Sequence, residues 1–300
     1  MWLPLSLFSA FFLGMYDVSK KRAVTGNAVF PVLFFSTLTG SLCTMPLIVL
    51  SLAAPDTARQ LHVYVAPQPL TEHLLIVAKS FIVGLSWVLS YFGLKHLPIT
   101  IAAPLRATAP LFTVLGAVLL FGERPSTLQW TGITLILSSY ILYSRSGKQA
   151  KETKVPLLWI IFMILAAVTG AVSAGFDKYL LQSRTLPPLF VLCWFLFYLS
   201  IMYGVIALLL WMPRRHKTTP FVFRPSIVLI GILLVIADTA YMTALSDLQA
   251  KLALVSAIRR SNVLISFAGG MIVFHEGNLR RKLLPFAGII TGLALIILKR

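Results

Sequence analysis

The chain has few acidic residues and almost no cysteine. Nine Asp and Glu residues stand against 26 Lys and Arg in 300 residues, which gives a formal net charge of +17. Cys43 and Cys193 both lie in apolar stretches, so we predict neither a disulfide framework nor a thiolate metal site. The five histidines lack ligand spacing, and neither a nucleophile–base set nor a nucleotide-binding loop is present. We therefore predict no cofactor, no enzymatic activity and no ATP-driven pump on this chain.

Long apolar runs are what the chain has in abundance. Its residues are 58% hydrophobic and 12% charged, with a mean hydropathy of +0.88. A soluble core cannot bury that much apolar surface, whereas a helix of about 20 apolar residues crosses the roughly 30 Å hydrocarbon layer of a bilayer. Ten such segments are predicted, at residues 2–22, 29–52, 73–94, 98–121, 126–143, 157–180, 187–211, 225–246, 250–274 and 283–298. The predicted fold class is an all-α integral membrane protein with ten transmembrane helices, located in the plasma (inner) membrane.

The basic residues are concentrated in the short loops between these segments. Such residues set the orientation of a membrane protein and contact anionic headgroups, so we expect membrane lipids as partners and no nucleic acid. The loops that are rich in Lys and Arg all fall on one side of a ten-span arrangement. By the positive-inside rule that side is cytoplasmic, which predicts that both termini lie outside.

The two halves of the sequence resemble each other. PLFTVLGAVLLFGE at residues 110–123 corresponds to VLISFAGGMIVFHE at residues 263–276, and Arg106 then falls opposite Arg259. Each copy lies in the fourth span of a set of five, and an odd number of crossings inverts the second set in the membrane. We therefore predict two inverted five-helix repeats, residues 1–144 and 157–300, joined by a basic linker at residues 145–156. Inverted repeats are typical of secondary transporters, whose substrate site lies near the midplane between the halves.

Further motifs are shared by the two halves. GMYDVSKK ends the first span and AGFDKYLL ends the sixth, while the fourth and ninth spans end in FGERP at residues 121–125 and FHEGN at residues 274–278. With these motifs the chain resembles the EamA family of the drug/metabolite transporter superfamily. The resemblance implies a ten-helix carrier with inverted halves around a central cavity. It leaves the cargo open among amino acids, amines, sugars and phosphorylated metabolites, and it implies cytoplasmic termini, against the loop charges.

Four basic side chains fall deep inside predicted spans and are candidate substrate ligands: Lys79, Arg106, Arg259 and Arg260. At 1.5 Å per residue, the arginines lie roughly 13 Å below the membrane surface, too deep to reach water easily on that side. The planar guanidinium group binds a carboxylate or phosphate through two parallel hydrogen bonds. The alternative is that these cations neutralise Asp177 and Asp238 across helices. Arg259 and Arg260 also resemble a basic pair in the ninth helix of the plastid phosphate translocators.

Three acidic residues lie within or at the rim of spans and are candidates for coupling or gating. Asp238 is the deepest, and its carboxyl group could exchange a proton during transport or form a structural ion pair. Asp17 stands three and four residues before Lys20 and Lys21, a spacing that favours pairing on one helix face. Asp177 is the repeat counterpart of Asp17, so it is the candidate for an equivalent gate at the opposite side.

Aromatic residues inside the spans are candidate cavity walls. Trp87 and Tyr91 are four residues apart and share a helix face, and Tyr241 lies in the eighth span. Helix packing is the alternative role for all three. Together with the cations they predict a secondary active carrier that works by alternating access on a small, anionic substrate bearing a carboxylate or phosphate.

Other functions remain as alternatives at this point. One is an exporter of amino acids, amines or drugs with the same fold, and another is a lipid-headgroup flippase or scaffold without soluble cargo. The small-molecule substrate and protons are the predicted partners in addition to lipids. The sequence is compatible with a monomer or a homodimer.

Overall fold

The computed structural model describes residues 1–97, 105, 108–145, 156–262, 264–265 and 279–298. Within these ranges the chain is almost entirely helical and contains no strand. The α-helices are α1 (Trp2–Val24), α2 (Val29–Ala53), α3 (Pro55–Gln60), α4 (Leu70–His96), α5 (Ala109–Phe121), α6 (Thr127–Arg145), α7 (Leu157–Lys178), α8 (Pro188–Ile206), α9 (Pro225–Ser246), α10 (Leu252–Arg259) and α11 (Leu279–Leu298). A π-helical turn, Tyr179–Ser183, extends α7, and Ala207–Trp211 and Met212–Arg214 extend α8.

Each of the ten predicted spans contains one of these helices. Five helical stretches of the described chain are long and apolar enough to cross a membrane: Val29–Ala53, Leu70–Gly93, Leu157–Ser183, Pro188–Arg214 and Pro225–Ser246. Ala109–Phe121 and Leu284–Leu298 are shorter apolar helices. The expectation of an all-α, multi-pass membrane protein is thus confirmed. That all ten segments cross the membrane, and that residues 1–144 and 157–300 form inverted repeats, stay predictions.

Local sequence explains where several helices begin and end. Pro188 and Pro225 stand in the first turns of α8 and α9, where a missing N–H is harmless and the fixed φ suits a helix. Gly122 ends α5 in the left-handed conformation, with φ of 61°, which a residue without Cβ adopts at no steric cost. The turn at Gly122 directs the next residue, Glu123, toward α10.

The helices pack in a pattern that is preserved when the two halves are exchanged. The pair α1–α9 corresponds to α7–α4, the pair α2–α9 to α8–α4, and the pair α1–α10 to α7–α5. The contacts α2–α8, α5–α10 and α6–α11 each join a helix to its own counterpart. A two-fold relation between the halves would produce such a pattern, and the inverted repeat stays a prediction.

Glycine brings α6 and α11 into backbone contact. A Cβ on Gly132 would lie 2.7 Å from the carbonyl oxygen of Gly292, and a Cβ on Gly292 would lie 2.8 Å from that of Gly132. Gly288, four residues before Gly292, faces Ser139 of α6 in the same way. Small residues at this spacing allow close approach of membrane helices, and here they face a helix of the same chain.

The apolar core centres on α8, and large apolar side chains also cover the outside. Phe190, Leu196 and Tyr203 of α8 have no exposed surface, whereas Leu119 of α5 is 77% exposed. Outward-facing apolar side chains of this kind are stable in contact with lipid tails but not with water.

Candidate functional site

A cavity of about 240 Å³ lies between the two halves of the molecule. Its walls come from α1, α4, α5 and α6 of the first half and from α7, α9 and α10 of the second. Five of the residues singled out from the sequence line it: Trp87, Tyr91, Tyr241, Arg259 and Arg260. The sequence analysis did not name the other polar lining residues as ligands, and these are Lys20, Ser86, Ser90, Thr113, Tyr140 and Ser256.

The cavity wall carries positive charge. Lys20, Arg259 and Arg260 contribute three cations, and no Asp or Glu is among the described residues that line it. The hydroxyl group of Ser256 adds a neutral donor on α10, whereas that of Ser86 donates to the carbonyl oxygen of Ala166. Such a wall offers hydrogen-bond donors to a negatively charged group.

Three aromatic rings surround the ammonium group of Lys20. Its Nζ lies 4.7 Å from the ring centroid of Tyr91, 5.6 Å from that of Tyr16 and 5.9 Å from that of Trp87. The negative faces of aromatic rings attract a cation, and the attraction is stronger where water is excluded. The rings therefore hold the charged end of Lys20 at the cavity wall.

Arg259 connects the cavity to a carboxylate behind the wall. Its Nη2 donates a hydrogen bond to Oδ1 of Asp238 over 2.9 Å, and its guanidinium carbon lies 4.0 Å from the centroid of the Tyr241 ring. Asp238 is not a lining residue, and its side chain is 13% exposed. The Nε of Arg259 is buried and has no hydrogen-bond partner within the described part of the chain. Part of the hydrogen-bonding capacity of this guanidinium thus remains for a further acceptor.

Lys79 and Asp177 form a buried ion pair rather than part of the cavity wall. Lys79 Nζ donates to Oδ1 of Asp177, and both side chains are at most 8% exposed. The Lys79 ammonium also lies 4.3 Å from the centroid of the Phe195 ring. The hydroxyl group of Tyr241 donates to Oδ2 of Asp177 over 3.4 Å. Tyr241 therefore contacts both ion pairs, and the pairing of Lys79 with Asp177 and of Arg259 with Asp238 is the arrangement that the sequence left as an alternative.

Asp17 joins α1 to the segment that follows α10. Its Oδ2 accepts a hydrogen bond from Nδ2 of Asn262 over 2.7 Å. Gly14 lies one turn earlier on α1, and a Cβ there would be 2.7 Å from the carbonyl oxygen of Asn262. The role of Asp17 in gating stays a prediction, and Arg106 lies outside the described residues.

The FGERP motif provides an anchor at one end of the cavity. Glu123 accepts the backbone N–H groups of Leu252 and Ala253, the latter over 2.9 Å, and the ammonium group of Lys178 over 2.6 Å. A carboxylate at a helix N-terminus satisfies backbone donors that have no partner within the helix and interacts favourably with the helix dipole. Glu123 thereby links the end of α5 to α10, whose first residue lines the cavity, and to the end of α7.

A helical pattern in the sequence could have identified some of the missed residues. Ser86 and Ser90 are four residues apart and each precedes Trp87 or Tyr91 by one residue, so they form the neighbouring stripe of α4. For Lys20 the sequence offers only Tyr16, four residues earlier on the same helix, because its other aromatic partners, Trp87 and Tyr91, come from another helix.

Three comparisons with known proteins bear on this site. The model of the EamA-like transporter family matches residues 1–145. A protein from Synechocystis sp., named Uncharacterized transporter sll1319, is 30% identical over 140 residues, which are 45% of this chain and 40% of that protein. The match thus spans less than half the length of that curated relative. A crystal structure with 16% sequence identity superposes with a TM-score of 0.73 over 99% of this chain and 95% of the other, which is a likeness of fold.

Proposed function

We propose that this chain is a secondary carrier that moves a small anionic metabolite across the plasma membrane through the cavity between its halves. The match of residues 1–145 to the EamA-like transporter family supports a carrier. The observation that carries the proposal is the charge of the cavity wall, which holds Lys20, Arg259 and Arg260 and no described carboxylate. Cations that line a cavity attract an anion inside it, so such a wall favours an anionic substrate.

The chemistry of the wall favours a carboxylate or a phosphate. Arg259 already donates one hydrogen bond to Asp238, and its buried Nε points to no acceptor among the described residues. A guanidinium group binds a planar carboxylate or a phosphate through two donors at once, which an ammonium group cannot match in geometry. The hydroxyl groups of Ser90 and Ser256 provide further donors around the same space.

The size of the cavity limits the substrate. An apolar cavity of about 150 Å³ admits benzene, which has six non-hydrogen atoms. By the same proportion, the 240 Å³ of this cavity accommodate a molecule of roughly ten non-hydrogen atoms. Small organic acids and phosphorylated small molecules fall within this limit.

Alternating access suits a cavity whose walls belong to both halves. A relative motion of the halves would open the cavity first to one side and then to the other, which is how carriers with repeated halves transport their cargo. The chain carries no nucleotide-binding loop, so the proposed source of energy is a gradient.

The aromatic cage of Lys20 favours a second candidate, a carrier of small amines. Tyr16, Trp87 and Tyr91 surround an ammonium group that belongs to the chain itself, and an amine substrate could take that position if Lys20 moved away. The positive wall opposes this candidate, because an added cation would face Arg259 and Arg260. The experiment below separates the two.

Thermal unfolding of the detergent-purified protein tests both candidates. A ligand that binds the folded state raises its stability, and at a concentration about 100 times Kd the melting temperature should rise by about 5 °C. We expect this shift with L-lactate, succinate or inorganic phosphate and not with choline. Arg259→Ala should abolish the shift, whereas Arg215→Ala, which replaces an exposed loop arginine, should retain it.

The opposite results would reject the proposal. Stabilisation by choline alone would favour the amine carrier. An anion shift that persists in Arg259→Ala would remove the arginine from the site. Arg106→Ala is tested in parallel, because the sequence predicts the same loss for it.

A further inference from the structure

We propose that the transported anion and Asp238 compete for the guanidinium group of Arg259, so that each anion bound places one proton on Asp238. The inference rests on the proposed function, because it requires an anionic cargo. It adds the mechanism by which a proton gradient would drive that cargo.

The position of Arg259 makes the competition direct. Its side chain lines the cavity on one side and donates to Oδ1 of Asp238 on the other, at 2.9 Å. Asp238 itself is set back from the cavity, with 13% of its side chain exposed. An anion in the cavity therefore reaches Arg259 without contacting Asp238. A two-donor contact along the Nε edge of the guanidinium group combines the free Nε with Nη2, the nitrogen that donates to Asp238, and so competes with that carboxylate.

The neighbours of Asp238 offer it little compensation when Arg259 turns to the anion. From α1, Tyr16 and Asp17 face the site, with Lys20 held over the Tyr16 ring, and from α7 the nearby charged group is Asp177. On its own helix the neighbour is Tyr241, whose hydroxyl group donates to Asp177 instead.

Helices α2 and α8 pack against α9, and neither contains a charged residue. Asp17 is a carboxylate and Asp177 is already paired with Lys79, so neither replaces the cation that Asp238 would lose.

When Asp238 loses Arg259 as its partner, a bound proton neutralises its charge. Removing one member of a buried ion pair leaves an uncompensated charge, which is strongly unfavourable, and a carboxylate in that situation binds a proton. The proton comes from water on the side to which the cavity is open and binds a carboxylate oxygen of Asp238. A monoanion such as lactate adds one negative charge and the proton removes one, so the charge of the site is then unchanged. When the anion leaves, Arg259 returns to Asp238 and the proton is released on the same side as the anion.

The mechanism fixes the pH dependence of anion binding. Because binding takes up a proton, affinity rises as pH falls. Over the pH range in which each anion bound takes up one proton, Kd should change by about tenfold per pH unit. In Asp238→Asn the competitor and the proton site are both absent. Binding should then be at least as tight as in the unaltered protein at high pH, and independent of pH.

Isothermal titration of the purified protein measures the proton directly. L-lactate, succinate and inorganic phosphate are titrated in two buffers with different ionisation enthalpies, and the difference in heat gives the number of protons taken up. We expect about one proton more for the unaltered protein than for Asp238→Asn, a difference that cancels the titration of the anion itself. Asp56→Asn replaces an exposed carboxylate and should behave like the unaltered protein.

Each other outcome overturns the inference in a recognisable way. Anion binding without proton uptake by the unaltered protein would reject the competition and leave the proposed function intact. Equal uptake by Asp238→Asn would assign the proton to another group. Binding of none of the three anions would reject the proposed function and the coupling together. If Asp238→Asn does not fold, Asp238→Ser replaces it, and a count of zero protons in the unaltered protein still decides against the inference.

Discussion

Buried cations of one chain can have different roles that depend on a few ångströms of position. Lys79 and Arg259 are each paired with an aspartate, but Lys79 is 2% exposed while Arg259 lines the cavity. We therefore expect Lys79 to stabilise the fold and Arg259 to bind cargo. Thermal stability and the shift caused by a ligand, measured for variants of Lys79 and of Arg259, should distinguish these two roles.

Lys79→Met tests the structural role. It leaves the Asp177 carboxylate buried without its cation, which typically costs about 3–5 kcal/mol of stability, whereas the double variant Lys79→Met/Asp177→Asn removes both charges and should recover most of the loss. Thermal unfolding in detergent measures both, with Lys217→Met in an exposed loop as the control. Unchanged stability of Lys79→Met would argue that the pair does not hold the helices together.

At the level of elements, contacts between helix ends and between glycines hold the two halves together. Glu123 ties the end of α5 to the first turn of α10 and to Lys178 at the end of α7. Far from that anchor, Gly132 and Gly292 bring α6 and α11 together. Both contacts cross from one half to the other, so they restrict the relative motion that alternating access requires.

Glu123→Gln should loosen the anchor. The amide can accept the N–H groups of α10 less well than a carboxylate and leaves Lys178 without its counter-charge, so we expect a loss of roughly 1–3 kcal/mol of stability. Thermal unfolding beside the exposed control Asp56→Asn measures it. Equal melting temperatures for the two variants would contradict the anchor.

Gly292→Ala should separate α6 from α11. The new Cβ would lie 2.8 Å from the carbonyl oxygen of Gly132 and 2.7 Å from Ile136, and backbone cannot yield as a side chain can, so we expect a cost of about 1–3 kcal/mol. Gly40→Ala on α2 is the matched control, because its Cβ would meet Leu196 and Val235 at the ordinary distances of 3.4–3.5 Å. A variant of Gly292 as stable as that of Gly40 would show that the helices can move apart freely.

For the whole molecule, the distribution of basic residues predicts the orientation in the membrane. Arg214, Arg215 and Lys217 are exposed in the loop between α8 and α9, and Arg224 donates to the backbone at the end of α1. Met1 instead pairs with Asp247 at the other end of α9. The basic loop and the start of the chain therefore lie at opposite ends of the molecule.

A C-terminal reporter tests the orientation. If the basic loops are cytoplasmic, the C-terminus lies outside, so a fused alkaline phosphatase should be active and a fused green fluorescent protein should be dark. The same two fusions placed in the α8–α9 loop, at Lys217, should give the reverse result and serve as the control. A bright fluorescent C-terminal fusion would instead support cytoplasmic termini, as the family resemblance implies.

The sequence by itself determined the class of protein and the elements of the fold. Apolar runs and helical spacing are local properties, so the segments, the repeat and the deep placement of Arg259 and Asp238 are readable along the chain. The tertiary structure decided which charges meet. Lys79 and Asp177 are 98 residues apart, and the aromatic cage of Lys20 combines two helices, so no local pattern encodes either contact. Partner choice among buried charges depends on how helices pack, because an ion pair needs its two groups within a few ångströms.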